Sequence, residues 1–329
     1  MRRENCSGSF FRFICPCFFL SGVFLKDTEA FRSLWWSKTD VLLKPYFVIL
    51  IGLGLLHSLS GLPSPAYGLG LFYATGETIN TEGRDHWVAL WFLPHLFVAS
   101  VSGWGMIRIW KRAGLHPKGL VCVTPVFLVL GACTIQWFWE RPLPGFGGPK
   151  AFFGKPVGLP FSVDFLLVSS AYVLAGSRMS SEVRNLTFRP LLFVCAISLF
   201  CGLHYFFDET IDLHSRLYGN VVIASVQAFL GIYIVLVMGV LCAGVPIVGR
   251  PLAYIGVSSL FILLFHWAFM DLGKALSHTL VPSLPALCDS LVFLSGVLLP
   301  LALLEIVKRQ GVLSALFLPT GHRREMGHV

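Results

Sequence analysis

The feature that most constrains this chain is a run of twenty-two residues, His86 to Ile107, that contains no Asp, Glu, Lys or Arg. At about 1.5 Å of rise per helical residue, such a run is long enough to cross the roughly 30 Å hydrocarbon core of a bilayer. It nevertheless contains His95 directly after Pro94. Such residues are tolerated in a membrane where they face other helices or a wet cavity. We therefore interpret this helix as one wall of a polar pocket, with the other helices packed round it.

The same apolar pattern recurs along the chain. Of 329 residues, 55% are hydrophobic and 13% are charged, whereas an average soluble domain is about a quarter charged. The pattern predicts an all-α, polytopic transmembrane helical bundle of about nine spans, forming a single domain over residues 9–307 with a basic tail at 308–329. The predicted spans cover residues 9–25, 45–62, 86–107, 119–139, 159–176, 190–207, 219–243, 252–271 and 287–307.

The distribution of Lys and Arg predicts the orientation of the bundle. Sixteen of these 25 residues lie in one alternating set of connections and in the C-terminal tail, including a polar stretch at 26–44, and nine lie elsewhere. By the positive-inside rule, the basic connections and the C-terminus should be cytoplasmic. The net charge of +8 is dispersed between apolar spans, which argues against nucleic acid and favours the lipid bilayer and an anionic cofactor as partners.

Ionisable side chains within apolar spans are the main candidates for chemistry, because placing them in lipid is costly. His95 and His266 suit proton transfer near neutral pH. Each can instead be a histidine packed between helices, and His95 can cap the carbonyl group that Pro94 leaves unpaired. Asp164 lies inside its span, where it can orient a histidine or an acceptor, or occupy a helix N-terminus.

Several short motifs occur in a characteristic order over about residues 14–310. They are FFLSG at 18–22, KPY at 44–46, LWFLP at 90–94, PFSVDF at 160–165, IDLHSRLYGN at 211–220, and RPLAYIG at 250–256 running into SSLFILLFHW at 258–267. Together they resemble the membrane acyltransferase 3 family, whose members O-acylate carbohydrates and other extracytoplasmic acceptors. The resemblance implies ten helices, the first carrying an arginine and a histidine thought to be catalytic. This sequence starts after the place of that helix, so we expect nine spans with the N-terminus outside. The alternatives are a re-entrant first segment or an unusual topology.

The resemblance implies an inner (plasma) membrane O-acyltransferase, most simply an acetyltransferase. It would move an acyl group from acyl-CoA to a hydroxyl of an extracytoplasmic or lipid-linked glycan. His266 or His95 would assist proton transfer, and Asp164 would orient a histidine or the acceptor. A direct transfer of this kind needs no Ser or Cys nucleophile, and the sequence shows none in a recognisable nucleophile setting.

The donor's phosphates would meet basic residues on the cytoplasmic side, since guanidinium groups bind phosphate well. Arg250 is the first candidate because it begins the RPLAYIG motif, although the positive-inside rule alone also explains such residues. Lys44, Arg108 and Arg112 are the other candidates for cofactor binding. His86, Trp91 and Asp212 are candidates for acceptor binding, because aromatic faces and carboxylates suit a sugar.

A non-catalytic membrane protein is the competing interpretation: either an inactive acyltransferase relative or a transporter. The missing first helix favours it. A transporter would be expected to show paired broken helices in two halves of the chain, and the sequence has no such symmetry. The cysteines have neither redox nor zinc spacing, so no metal is expected.

Overall fold

The computed structural model describes residues 14–26, 28–59, 65–75, 85–116, 119–140, 158–207, 209, 211–213, 216–280 and 284–320, and it is helical over most of them. The α-helices are α1 (Ile14–Val23), α2 (Phe31–Lys38), α3 (Lys44–Ser58), α4 (Pro65–Tyr73), α5 (Phe92–Arg112), α6 (Gly119–Glu140), α7 (Leu166–Arg178), α8 (Ser180–Arg184), α9 (Pro190–Phe206), α10 (Val221–Ala243), α11 (Pro246–Val257), α12 (Ser259–Leu280), α13 (Pro285–Arg309) and α14 (Gly311–Phe317). Short 3-10 helices at Asp85–Trp91 and Pro160–Phe165 precede α5 and α7. Strands β1 (Ile211–Asp212) and β2 (Leu217–Tyr218) form an antiparallel hairpin between α9 and α10.

Six of the described helical stretches are long and apolar enough to cross a membrane. They are Phe31–Leu56, Ala89–Arg112, Pro160–Arg178, Val221–Ala243, Ser259–Ser277 and Pro285–Arg309. Two shorter apolar helices cover Cys122–Ile135 and Pro190–Phe206. The all-α membrane bundle predicted from the sequence is therefore confirmed, and helices occur at each predicted span.

Two details of the sequence prediction were wrong. The stretch 26–44 is largely helical rather than a polar connection, because α2 continues through a π-helical turn, Thr39–Leu43, into α3. The helix α2 has two different sides, since Leu34 is buried whereas the charged Arg32 is exposed. The eighth span was also placed too early, since the chain leaves regular helix at Ser258, two residues after Gly256, and a new helix begins at Ser259. Glycine is among the poorest helix formers, so a break here is easily accommodated.

The chain divides into two compact units. The first unit comprises Met1–Phe31 and His95–Pro246, and the second comprises Arg32–Pro94 and Ile247–Val329. The division falls within α5, directly after Pro94.

In the first unit, α7 packs closely against α1 and α6, and α9 packs against α10. A Cβ atom at Gly22 of α1 would overlap the carbonyl oxygen of Val173, and one at Gly176 of α7 would overlap that of Phe19. Small residues of this kind let two membrane helices approach backbone to backbone. This contact explains why FFLSG ends in glycine.

In the second unit, α12 pairs with α13 along most of its length, and α14 packs against both α13 and α3. A cluster of buried apolar side chains, Phe261, Leu304, Val307 and Leu318, joins three of these segments. The Ser295 hydroxyl of α13 lies 3.0 Å from the Phe269 carbonyl oxygen of α12, to which it can donate. These contacts fix the part of α12 that carries His266.

Candidate functional site

The polar cluster of the first unit is built on the segment 158–165, which we call the Asp164 turn. Phe161 and Ser162 have φ angles of 55° and 54°, in the left-handed region that side chains other than glycine rarely adopt. Leu159 donates its backbone N–H to Asp164 Oδ1 at 3.1 Å, which closes the turn. Strained backbone of this kind persists where surrounding contacts over-determine it, and such positions cluster at functional sites.

Asp164 forms a buried ion pair with Arg216. The Arg216 Nε atom donates to Asp164 Oδ2 at 3.0 Å, and neither side chain is exposed at all. The Arg216 Nη2 atom also donates to Ser162 Oγ at 3.2 Å, and the guanidinium lies 5.5 Å from the Phe165 ring centroid. Arg216 itself has a φ of 54° and lies in the connection between β1 and β2. The ion pair therefore fastens the hairpin to the Asp164 turn.

Glycine is required at the start of the same turn. Gly158 has a φ of 73°, which costs a residue with a Cβ atom considerably more than glycine. A Cβ there would also lie 2.7 Å from Arg216 Nη2 and 3.0 Å from Asp164 Oδ1. The backbone at this position thus makes room for the ion pair.

His95 is fully buried and contacts the Asp164 turn from α5. Its Nδ1 atom lies 3.0 Å from the Phe161 carbonyl oxygen, so Nδ1 carries the proton that it donates. In the neutral ring Nε2 is then an acceptor, 2.9 Å from the Ser169 hydroxyl of α7. The His95 and Phe165 ring centroids are 4.1 Å apart. His95 therefore contacts the turn that contains Asp164, and Asp164 itself pairs with Arg216.

Sequence reasoning missed Arg216 and Ser169. Ser169 is fully buried and bonds to His95, which gives it a Ser–His setting that the sequence did not reveal. A serine in the apolar run LLVSSAY has no local feature to distinguish it from a packing residue. For Arg216, the available signal was its place within the family-like stretch IDLHSRLYGN, among the few basic residues predicted to lie outside.

Tyrosine hydroxyls also hold the hairpin against the helices. Tyr218 of β2 lies 2.8 Å from the Ser225 hydroxyl of α10 and 3.5 Å from the Tyr172 hydroxyl of α7. Burial raises the pKa of Tyr218 to about 12, so it remains a neutral hydroxyl at physiological pH. The hairpin is therefore joined to α7 and to α10 by side-chain contacts independent of the ion pair.

The second candidate histidine, His266, lies in α12 of the second unit. It is buried, and its Nδ1 atom lies 2.9 Å from the Leu263 carbonyl oxygen and 3.2 Å from that of Ile262. Both carbonyls belong to the turn of the helix that precedes it, so Nδ1 carries the donated proton. In the neutral ring Nε2 then carries the lone pair, which is the state a general base requires.

The four basic residues predicted to bind the donor fall into two groups. Lys44 donates to Asp40 Oδ1 at 2.6 Å and to the Leu318 carbonyl oxygen at 2.5 Å, while Arg108 donates to the Glu29 carbonyl oxygen at 3.0 Å. These two side chains therefore hold neighbouring segments together. Arg112, at the end of α5, and Arg250, in α11, are exposed.

The residues predicted to bind the acceptor have varied surroundings. Trp91 is fully buried, and its ring contacts that of Phe92 edge to face. Asp212 is half-buried in β1, opposite Leu217. His86 lies in the 3-10 helix Asp85–Trp91, but its side chain falls outside the described atoms. In the described part of the chain, no group of three or more His, Cys, Asp or Glu side chains could hold a metal ion.

Comparison with known protein families gives one match that covers most of the chain. The family model for the acyltransferase domain of the acyltransferase 3 type matches residues 3–305. Comparisons with curated proteins and with solved structures give no match.

Proposed function

The chain belongs to the membrane acyltransferase 3 family, and on this premise we propose that it is an O-acyltransferase of the inner (plasma) membrane, most simply an acetyltransferase. Its donor is acyl-CoA, bound from the cytoplasmic side. Its acceptor is a hydroxyl group of an extracytoplasmic or lipid-linked glycan. The family match supports acyl transfer by a membrane protein in general, and the buried histidine His266 supports transfer to a hydroxyl group assisted by proton removal.

The position of His266 Nδ1, within hydrogen-bond distance of two carbonyl oxygens of its own helix, is the observation that carries this proposal. Because Nδ1 donates to Leu263 and Ile262, the neutral ring keeps the Nε2 lone pair that can take a proton from the acceptor hydroxyl. The hydroxyl oxygen then attacks the thioester carbonyl carbon, and the carbon–sulfur bond breaks. The proton passes from His266 to the departing CoA thiolate. The products are the O-acyl ester and free CoA, and no acyl-enzyme is required.

The cluster in the first unit has a positioning role in this proposal. Asp164 orients Arg216, and together with His95 they hold the strained Asp164 turn in a single conformation. Both His95 nitrogens already lie within hydrogen-bond distance of protein oxygens, one from Phe161 and one from Ser169. Since the Nε2 lone pair of His95 is engaged by Ser169 within this cluster, we propose His266 as the base.

Arg250 is proposed to bind the anionic phosphates of CoA. The expected result of Arg250→Ala is a KM for acetyl-CoA about tenfold higher, equivalent to roughly 1.4 kcal/mol, because one charge-assisted contact is lost. The measurement is the transfer of radiolabelled acetyl groups from acetyl-CoA in membrane vesicles at several donor concentrations. Arg309→Ala is the matched control, since Arg309 is an exposed arginine near the end of α13 in the same unit.

An unchanged KM in Arg250→Ala would remove this donor assignment. Absence of acetyl transfer by the unaltered chain, in membranes that contain it in folded form, would favour the non-catalytic interpretation instead. The two results are separable because the first needs a measurable rate.

A further inference from the structure

A cavity of about 690 Å³ lies in the first unit among α1, α9 and α10. Its volume is within the range of about 300–1,000 Å³ usual for small-molecule sites. Its walls are mostly apolar and include Pro16, Ile197, Phe200, Ile234 and Val235. The cavity is separate from the Asp164–Arg216 ion pair, and the acyl-transfer steps above do not use it.

The cavity is elongated, and its polar residues lie towards one end. Its lining runs along α10 from Ala224 to Val235, which at the helical rise corresponds to about 16 Å. His204 and Glu209 line it beside the start of α10, on the side predicted to be extracytoplasmic, whereas Ile234 and Val235 line the deeper part. A long apolar space with one polar end matches a single hydrocarbon chain that carries a polar head.

Gln227 is a buried polar residue of this cavity whose amide needs a hydrogen-bond acceptor. Its side chain lines the cavity and is 8% exposed, and within the described part of the chain its Nε2 atom has no hydrogen-bond partner. A buried amide without a partner is unfavourable, so a ligand oxygen that accepts from Nε2 would be stabilised there. Ester, glycosidic and phosphate oxygens at the head of a lipid chain all supply such an acceptor.

The polar end of the cavity is also next to the Arg216 hairpin. Ile211 of β1 lines the cavity and pairs with Tyr218 of β2, while Arg216 directly precedes β2. A head group at this end therefore lies beside the segment that the Asp164 ion pair holds in place.

We propose that this cavity binds the hydrocarbon chain of a lipid-linked acceptor, with Gln227 donating to an oxygen near the head. The assignment of the chain to the acceptor rests on the proposed function, whereas the binding of a single-chain amphiphile does not. The cavity thereby selects acceptors attached to a long apolar chain over free sugars.

The binding experiment uses hexadecyl β-glucoside with a diazirine at the end of its chain, added to the purified full chain in lipid nanodiscs. Photolabelling is expected at cavity residues of α9 and α10. In Gly231→Phe the new ring fills the cavity, because a Cβ there already lies 3.6 Å from the Phe200 ring, so labelling should be lost. Gly239→Phe is the control on the same helix, since a Cβ at Gly239 meets no atom within 4 Å, and labelling should persist.

A second variant tests the polar contact. Gln227→Leu keeps the approximate size of the side chain and removes the amide, so it should weaken probe binding about tenfold. Equal labelling of all lipid-facing helices, unchanged by Gly231→Phe, would overturn the proposal. So would displacement by dioleoyl phosphatidylcholine as effective as that by unlabelled hexadecyl glucoside, because the site would then hold an ordinary bilayer lipid.

Acetyl transfer measured in the same samples separates this proposal from the proposed function. Faster transfer to hexadecyl glucoside than to methyl glucoside, with the preference lost in Gly231→Phe, supports both. Equal transfer to the two glucosides overturns the role of the cavity and leaves the acyltransferase function intact. Labelling of the cavity without transfer to either glucoside supports the chain site and overturns the function.

Discussion

His95 in the first unit and His266 in the second are both buried intramembrane histidines, yet their hydrogen bonds differ. His95 joins three segments, because its Nδ1 atom bonds to Phe161 of the Asp164 turn and its Nε2 atom bonds to Ser169 of α7. The Nδ1 atom of His266 bonds within its own helix, to the preceding turn. The first arrangement joins different segments of the fold, whereas the Nδ1 contacts of His266 stay within α12.

This difference teaches that burial of a histidine does not by itself indicate catalysis. A catalytic role depends on which ring nitrogen carries the lone pair and on which group the other ring nitrogen bonds to. We therefore expect substitutions at the two positions to separate into one that affects chemistry and one that affects folding.

The largest effect is expected for His266→Asn. The amide can still donate to a helix carbonyl but cannot take a proton, so the rate of acetyl transfer should fall by about 10²–10⁴-fold. The thermal unfolding temperature in detergent should change less than in Asp164→Asn, because the described contacts of Nδ1 lie within α12 and no buried charge loses its partner. His116→Asn, in an exposed connection, is the control. Full activity in His266→Asn would show that His266 is not the base.

Asp164→Asn should give the largest loss of stability, about 3–5 kcal/mol, because it leaves a fully buried guanidinium without its charge partner. The measurement is thermal unfolding of the purified protein. The double variant Asp164→Leu with Arg216→Met should recover much of that loss, since neither buried charge remains. If the single variant unfolds like the unaltered chain, the ion pair does not hold the hairpin.

His95→Leu should have a smaller effect on stability, about 1–3 kcal/mol, because the Phe161 carbonyl and the Ser169 hydroxyl each lose a buried partner. The rate per folded molecule should fall much less than in His266→Asn. Initial rates normalised to the folded fraction check this expectation. A loss of a hundredfold or more with unchanged unfolding would identify His95 as the base and reverse the comparison.

The membrane-spanning helices could be predicted from the sequence because lipid imposes a simple requirement of about twenty apolar residues. The same physics singled out Asp164 and His95, since an ionisable group within an apolar span stands out against its surroundings. The stretch 26–44 was misjudged because its charged residues lie on a helix that also has an apolar side. The average composition of a stretch does not show which residues share one side of a helix.

Arg216 could not be recognised in the same way. It lies in a polar connection between spans, where a charged residue is ordinary, and it is buried only because the hairpin folds back onto α7 and α10. The left-handed backbone at Phe161 and Ser162 also gave no signal, because such conformations are usually marked by glycine or asparagine. Contacts between distant segments impose both features.

The reciprocal glycine contact between α1 and α7 fixes the register of these two helices. Sliding either helix by one residue would replace Gly22 or Gly176 with a neighbour whose Cβ has no space, so the two helices keep a fixed register. That register sets the position of α1 relative to Tyr172 of α7, and Tyr172 contacts Tyr218 at the end of the hairpin. The absence of side chains at two glycines thus fixes where α1 lies along the helix that carries the tyrosine contact of the hairpin.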